Sequence, residues 1–225
     1  IIRWQQNNAK MKKIMTYSMI HDIKTPLSTI RLGLGALDHE KIVNDPEKRT
    51  KYLQVISTET QHAYSLINRI LTISKSQAGK LELKKVQVDM TSMLSKMEEN
   101  FRVNRLKNVS FENHINCQYA FADEEYLKEI FYNLIDNSIK YSDGDVTIRI
   151  STDKVDKGVS IRVRDNGIGI SKADQKVIFD KYERASAAKR TFKKKGAPGF
   201  GLGLTYVFQV IDAHEGMIGV ESELG

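Results

Sequence analysis

The sequence predicts an α+β protein in which an antiparallel helical hairpin, dimerising into a four-helix bundle, precedes an α/β sandwich. Two observations predict it. Before residue 80, two stretches space their apolar residues alternately by three and four, the period of a helix seam. After residue 80, short alternating runs rich in β-branched residues mix with helical runs in no regular βαβ order. The boundary divides the chain into residues 1–80 and 81–225.

Residues 1–37 have helical character, with a seam of Ile20, Ile23, Leu27, Ile30, Leu34 and Leu37. A polar connection, "DHEKIVNDPEK", follows, in which Asp45 is a helix N-cap and Pro46 a first helical residue. The second helix runs to about Ser74 with a seam of Leu53, Ile56, Thr60, Ala63, Ile67 and Ile70. A hairpin alone covers two such seams poorly, and a second copy buries them better. "SKSQAGK" ends this helix and is a candidate hinge. Beyond it, "VSFENHI", "VTIRIST" and "GVSIRVRDNG" alternate as strands do. "DEEYLKEIFYNLIDNSIKYS" reads as a helix capped by Asp123, and "LGLTYVFQVIDAHEG" as a helix ended by Gly216. "KRTFKKKGAPG" is basic and rich in loop formers.

Composition is that of an ordinary soluble domain, with 40% hydrophobic and 28% charged residues. The net charge of +7 permits acidic partners without selecting one. A single cysteine, Cys117, excludes an intramolecular disulfide and a cysteine-based metal site. No apolar run is long enough to span a bilayer. The chain does not open on Met, so a fragment is expected. Ile1, Ile2 and Trp4 followed by Lys10, Lys12 and Lys13 suit either the cytoplasmic end of a membrane helix or a plain linker helix.

Four motifs carry chemistry. In "HDIKTPLS", His21 takes heptad position b, which faces away from the seam, and Thr25 lies one turn beyond it. Such a histidine is either a surface residue or an accessible nucleophile. The adjacent Asp22 can hold the Nδ1–H tautomer and leave Nε2 free to attack. Pro26 removes the helical partner of the Asp22 carbonyl and bends the helix there, as a structural kink or as part of the reacting site. In "NLIDNSIKYS", Asn133, Asn137 and Lys140 share a helix face, which is either the polar side of an amphipathic helix or a site for a metal–phosphate group. In "RDNGIGI", Gly167 and Gly169 allow a tight turn, and Asp165 can accept from an exocyclic amine such as adenine's. In "GFGLGL", Gly199, Gly201 and Gly203 alternate with Phe200, Leu202 and Leu204 at a helix start, where bare N–H groups suit phosphate as well as a simple cap. Neither a P-loop nor a dinucleotide fingerprint is matched.

In this order, with "IFDKYER" between the last two, the motifs resemble the H-box, N-box, G1, F- and G2 boxes of bacterial sensor histidine kinases. The closing "HEGMIGVESELG" is also similar to that family. The resemblance covers nearly the whole chain. It implies a dimeric phosphoacceptor hairpin and a Bergerat-type ATP-binding sandwich. His21 would be phosphorylated, Asp22 would orient and deprotonate it, and Thr25 would serve dephosphorylation of the response regulator. Asn133 and Asn137 would hold Mg²⁺, Lys140 and Tyr141 would contact ATP, and Asp165 would read the adenine amino group. Gly167, Gly169, Gly199, Gly201, Leu202, Gly203 and Leu204 would shape the pocket and lid, and Arg184 would help at the γ-phosphate. The implied partners are a second copy and a receiver domain, without nucleic acid. The implied location is the cytoplasmic part of an inner-membrane protein, with any membrane contact through a segment before residue 1.

Several positions depart from that family's pattern. Asp22 stands where Glu is more usual, which spares autophosphorylation and weakens phosphatase activity. Tyr182 replaces a common Phe and Ser138 a common Ala, the lid is unusually basic, and the family commonly adds a strand after the equivalent of Gly225. A related ATP hydrolase would carry a Glu base where this chain has Asn133, and it would leave the H-box hairpin without a role. A kinase-dead scaffold conflicts with intact boxes. Nucleic-acid binding by the basic loop lacks any supporting motif.

Overall fold

The computed structural model describes residues 20, 22–102, 107–179 and 202–224. The hairpin pairs α1 (22–37) with α3 (Pro46–Gln77), joined through a single helical turn, α2 (Glu40–Val43). The start of α3 is as predicted. The Lys48 N–H donates to Asp45 Oδ1 at 3.1 Å, and Pro46 fills the first position, where a missing N–H is harmless. The helix runs three residues past the predicted end, to Gln77, and the segment expected to hinge is largely helical. The chain leaves it at Gly79, whose φ of +64° favours glycine.

The two helices meet closely at Gly33, where an added Cβ would lie 2.9 Å from Ile56 Cγ1. Helix α1 continues through Pro26 without a break. Its buried stripe is Asp22, Pro26 and Gly33, not the predicted seam. Ile23, Ile30 and Leu37 are half-buried, while Ile20, Leu27 and Leu34 are more than half exposed. Helix α3 behaves alike. Ala63 is buried and Ile56 and Ile70 are half-buried, while Leu53 and Ile67 stay exposed. Each helix therefore leaves one row of its seam uncovered within a single chain.

The second part begins with β1 (Lys85–Asp89), α4 (Met90–Arg102), β2 (Val109–Ile115) and β3 (Tyr119–Asp123). Helix α5 (Glu124–Lys140), the hairpin β4 (Val146–Val155) and β5 (Gly158–Asp165), and a short α6 (Lys172–Gln175) follow, with α7 (Leu202–Ala213) last among the described residues. Strands β1 and β3 pair antiparallel. The other sheet has order β2-β4-β5, with β2 parallel and β5 antiparallel to β4. Strands β2, β4 and β5 and helices α5 and α7 lie where the periodicity predicts them. Asp123 caps α5 by accepting the Tyr126 N–H at 3.3 Å.

Two cores hold this part together. The larger lies between the sheets and helices α4 and α5. It includes Met90, Leu94, Phe101, Phe131, Ile135, Ile148 and Ile150, each at most 2% exposed. The smaller joins Ile130 of α5 and Tyr206, Val207 and Val210 of α7 to Ile73 of α3. The last turns of the hairpin are thus part of the sandwich's core.

Candidate functional site

Helix α5 organises the site. Its apolar positions Leu127, Phe131 and Ile135 face the large core, and this orientation turns Asn133 and Asn137 toward α7. Asn133 is buried, and its Nδ2 donates to the Glu129 carbonyl at 2.7 Å. That bond leaves Oδ1 as the outward atom. A Cβ added at Gly203 would stand 3.0 Å from Asn133 Oδ1 and 3.8 Å from Asn137 Nδ2. The first turn of α7 therefore lies directly over the two asparagines, and only glycine fits there without displacement. Gly203 and Leu204 belong to this turn.

Lys140 is exposed and its Nζ pairs with Asp136 at 2.5 Å. The end of α5 is braced from outside. Lys107 Nζ donates to the Ile139 carbonyl at 3.0 Å and to Ser142 Oγ at 3.1 Å, placing a cation at a helix C-terminus. Lys107 was not singled out in the sequence, because its position in a loop carries no periodic signal. The Tyr141 carbonyl accepts the Ile168 N–H at 2.9 Å, so the loop after β5 closes against the end of α5.

That loop is built on Asp165. Its Oδ1 accepts the Gly167 N–H at 2.8 Å, and its Oδ2 accepts from Ser138 Oγ at 3.0 Å. A Cβ at Gly167 would meet Tyr141 O at 2.7 Å. Gly169 has φ +72°, and a Cβ there would collide with the Glu223 carbonyl. Both glycines sit where the neighbouring backbone leaves no room for a side chain, within the tight turn their motif predicts. Asp165 remains exposed and available to a ligand.

On the hairpin, Asp22 is buried, although it neighbours His21 on the side read as facing away from the seam. Asp22 and Thr25 are both engaged by neighbours. His21, Arg184, Gly199 and Gly201 lie outside the described residues, as does the side chain of Leu202. Among the sequence-predicted residues, the structure thus gathers Asn133, Asn137, Gly203, Tyr141, Asp165, Gly167 and Gly169 around one end of α5. Among the described residues no three His, Cys, Asp or Glu side chains cluster as a metal site. Amide oxygens are hard donors, and they suit Mg²⁺, which commonly keeps several waters and uses ligand phosphates.

Two family models match the chain. The His Kinase A (phospho-acceptor) domain covers residues 11–79. The histidine kinase-, DNA gyrase B-, and HSP90-like ATPase covers residues 122–225. The chain belongs to the histidine kinases and carries the phospho-acceptor and ATPase domains of their core. Within that family it is 31% identical to the sensor protein RprX of Bacteroides fragilis over 100% of this chain and 43% of the relative. It is 33% identical to the autoinducer 2 sensor kinase/phosphatase LuxQ of Vibrio vulnificus, over 99% of this chain and 26% of that one. The chain therefore spans less than half the length of these relatives. Its fold is similar to that of the Acinetobacter baumannii histidine kinase AdeS, with a TM-score of 0.58 at 22% identity over 86% of each chain. The hairpin and the ATP-binding sandwich of this kinase core are thus as the sequence predicts. No helix among the described residues is long and apolar enough to cross a membrane.

Proposed function

We propose that this kinase core binds Mg²⁺–ATP on α5, phosphorylates itself on His21, and passes the phosphoryl group to an aspartate of a response-regulator receiver domain. The observation that carries the reading is the convergence on one helix of three motifs far apart in sequence. Gly203 lies over Asn133, Ser138 bonds Asp165, and Tyr141 closes the turn containing Gly167.

Phosphoryl transfer depends on positioning and charge neutralisation more than on covalent help. Asn133 and Asn137 would hold Mg²⁺, which draws phosphate oxygens together and offsets their charge. The N–H groups opening α7 would receive phosphate oxygens, with Gly199, Gly201, Leu202, Gly203 and Leu204 forming the lid edge. Lys140 would exchange Asp136 for a phosphate oxygen, Tyr141 would line the pocket, and Arg184 would reach the γ-phosphate. Asp165 would accept from the adenine amino group. His21 Nε2 would attack the γ-phosphorus in line. A phosphorus–nitrogen bond forms, the bridging phosphorus–oxygen bond breaks, and ADP leaves with that electron pair. Asp22 would hold Nδ1–H and take its proton. The division is a phosphoacceptor hairpin over 1–80 and an ATP-binding domain over 81–225.

Three further assignments belong to this reading. The uncovered rows on α1 and α3 favour a homodimeric four-helix bundle. Thr25 would support dephosphorylation of the regulator, an activity named for the relative LuxQ. The core would be the cytoplasmic part of an inner-membrane sensor.

Incubation with γ-labelled ATP and Mg²⁺ tests the central step. An acid-labile, alkali-stable label on the protein, absent in His21→Ala, is the expected result. Steady phosphate release with no labelled protein would overturn it.

A further inference from the structure

Ser138 departs from its family's pattern, and the structure places it against the residue that would read the base. It is 5% exposed, and its Oγ lies 3.0 Å from Asp165 Oδ2 and 3.0 Å from the Leu134 carbonyl one turn back. A hydroxyl has one proton for these two acceptors. If it went to Leu134, an oxygen lone pair would face an ionised carboxylate at hydrogen-bond distance. The charged acceptor makes the stronger bond, so the proton lies toward Asp165.

The consequence is a carboxylate held at both oxygens. Oδ1 receives the Gly167 N–H at 2.8 Å, and Oδ2 receives Ser138. Gly167 itself is wedged against Tyr141 O, and the Ile168 N–H bonds that same carbonyl at 2.9 Å. The carboxylate plane is therefore fixed relative to the end of α5, with lone pairs still open on its exposed side. A fixed acceptor suits the 6-amino group of adenine, which donates. It repels the 6-carbonyl of hypoxanthine, which presents lone pairs. An acceptor free to turn discriminates less, because it can rotate away from the clash.

We propose that Ser138 is a positioning residue for nucleotide-base selectivity, acting through Asp165 to favour a 6-amino purine over a 6-oxo purine. This rests on the reading of Asp165 as the base-binding carboxylate. Alanine at 138 keeps the helix and removes only the hydroxyl, so loss of selectivity is separable from loss of fold.

The test measures dissociation constants of ATP and ITP for the chain and for Ser138→Ala, Ser138→Thr, Asp165→Ala and the double variant Ser138→Ala/Asp165→Ala. Ser138→Ala should weaken ATP by about fivefold to tenfold, a loss of the size of one ordinary net hydrogen bond, and leave ITP nearly unchanged. Ser138→Thr, which keeps the hydroxyl, should retain the preference for ATP. In the Asp165→Ala background, Ser138→Ala should have no further effect. An equal loss for both nucleotides, no loss, or a loss that persists without Asp165 would overturn the proposal. If Asp165→Ala itself leaves the ATP-to-ITP ratio intact, the base reading of Asp165 fails and takes the proposal with it.

Discussion

The Ser76 hydroxyl donates to Gln209 Oε1 at 2.7 Å, tying the last turn of the phosphoacceptor hairpin to the helix that opens with the glycine-rich lid motif. Beside that bond, Ile73 is 1% exposed, among Ile130, Tyr206, Val207 and Val210. A domain that swings toward its phosphoacceptor must leave or slide over this contact.

Ile73→Ala should lower unfolding stability by about 2 to 5 kcal/mol, as truncation in a packed core does. It should also raise hydrogen exchange at 205–210 on α7, because that helix loses its cover. Denaturant unfolding and exchange mass spectrometry measure the two effects. An Ile73→Ala chain with unchanged stability and unchanged exchange would show that α3 does not hold α7 in solution.

Gly203→Ala tests the lid edge over the asparagines. The new Cβ would sit 3.0 Å from Asn133 Oδ1, and Asn133 would have to shift against its 2.7 Å bond to the Glu129 carbonyl. Mg²⁺–ATP affinity should fall by about tenfold, equivalent to about 1.4 kcal/mol. Melting temperature should hold, since alanine favours a helix more than glycine does. Calorimetric titration that shows unchanged affinity would separate Gly203 from the nucleotide site.

The uncovered seam rows predict the oligomeric state. Leu27 and Leu34 on α1 are each 52% exposed, and Leu53 on α3 is 51% exposed. Isolated apolar residues at a surface are ordinary, but rows at helical period are faces waiting for a partner. Leu34→Glu should convert a dimer to monomers by placing a charge in the bundle's centre. Sedimentation equilibrium that finds the same mass for both chains would refute the bundle.

Much of this was legible in the sequence because it rests on period and on local chemistry. Asp45 and Asp123 announce their helices by capping, and "VSFENHI" matches β2 residue for residue. Gly167 and Gly169 read as residues of a tight turn, and the structure gives each a specific obstacle in the chain. Other features depend on contacts distant in sequence. The burial of Asp22 depends on what packs over it, and a heptad assigned to one helix cannot supply that. The same holds for Gly33, which reads as a weak helix residue until Ile56 stands against it. Ser138 is visible only as a departure from a pattern, because its partner Asp165 lies on a strand, β5, distant in sequence.

Arg69 is the least expected of these contacts. Its Nε is buried with no hydrogen-bond partner among the described residues, although it lies off the apolar seam of its helix. Burial pushes the guanidinium pKa down, and the charges of Glu129 and Asp136 with Tyr206 act in the opposite sense. Arginine remains a cation at neutral pH, so the hairpin presents a partly buried positive charge to the acidic side of α5. Desolvation of such a charge commonly cancels what its partners return, and an apolar replacement of similar length is then neutral or stabilising. Arg69→Met should therefore keep or raise the melting temperature and leave α3 seated on α5 and α7. Arg69→Glu should lower it and release the nucleotide domain, because a third carboxylate joins Glu129 and Asp136. Thermal unfolding with small-angle scattering reads both effects. If Arg69→Met proved as damaging as Arg69→Glu, attraction to Glu129 and Asp136 would outweigh burial, and Arg69 would be an electrostatic anchor of the docked domain.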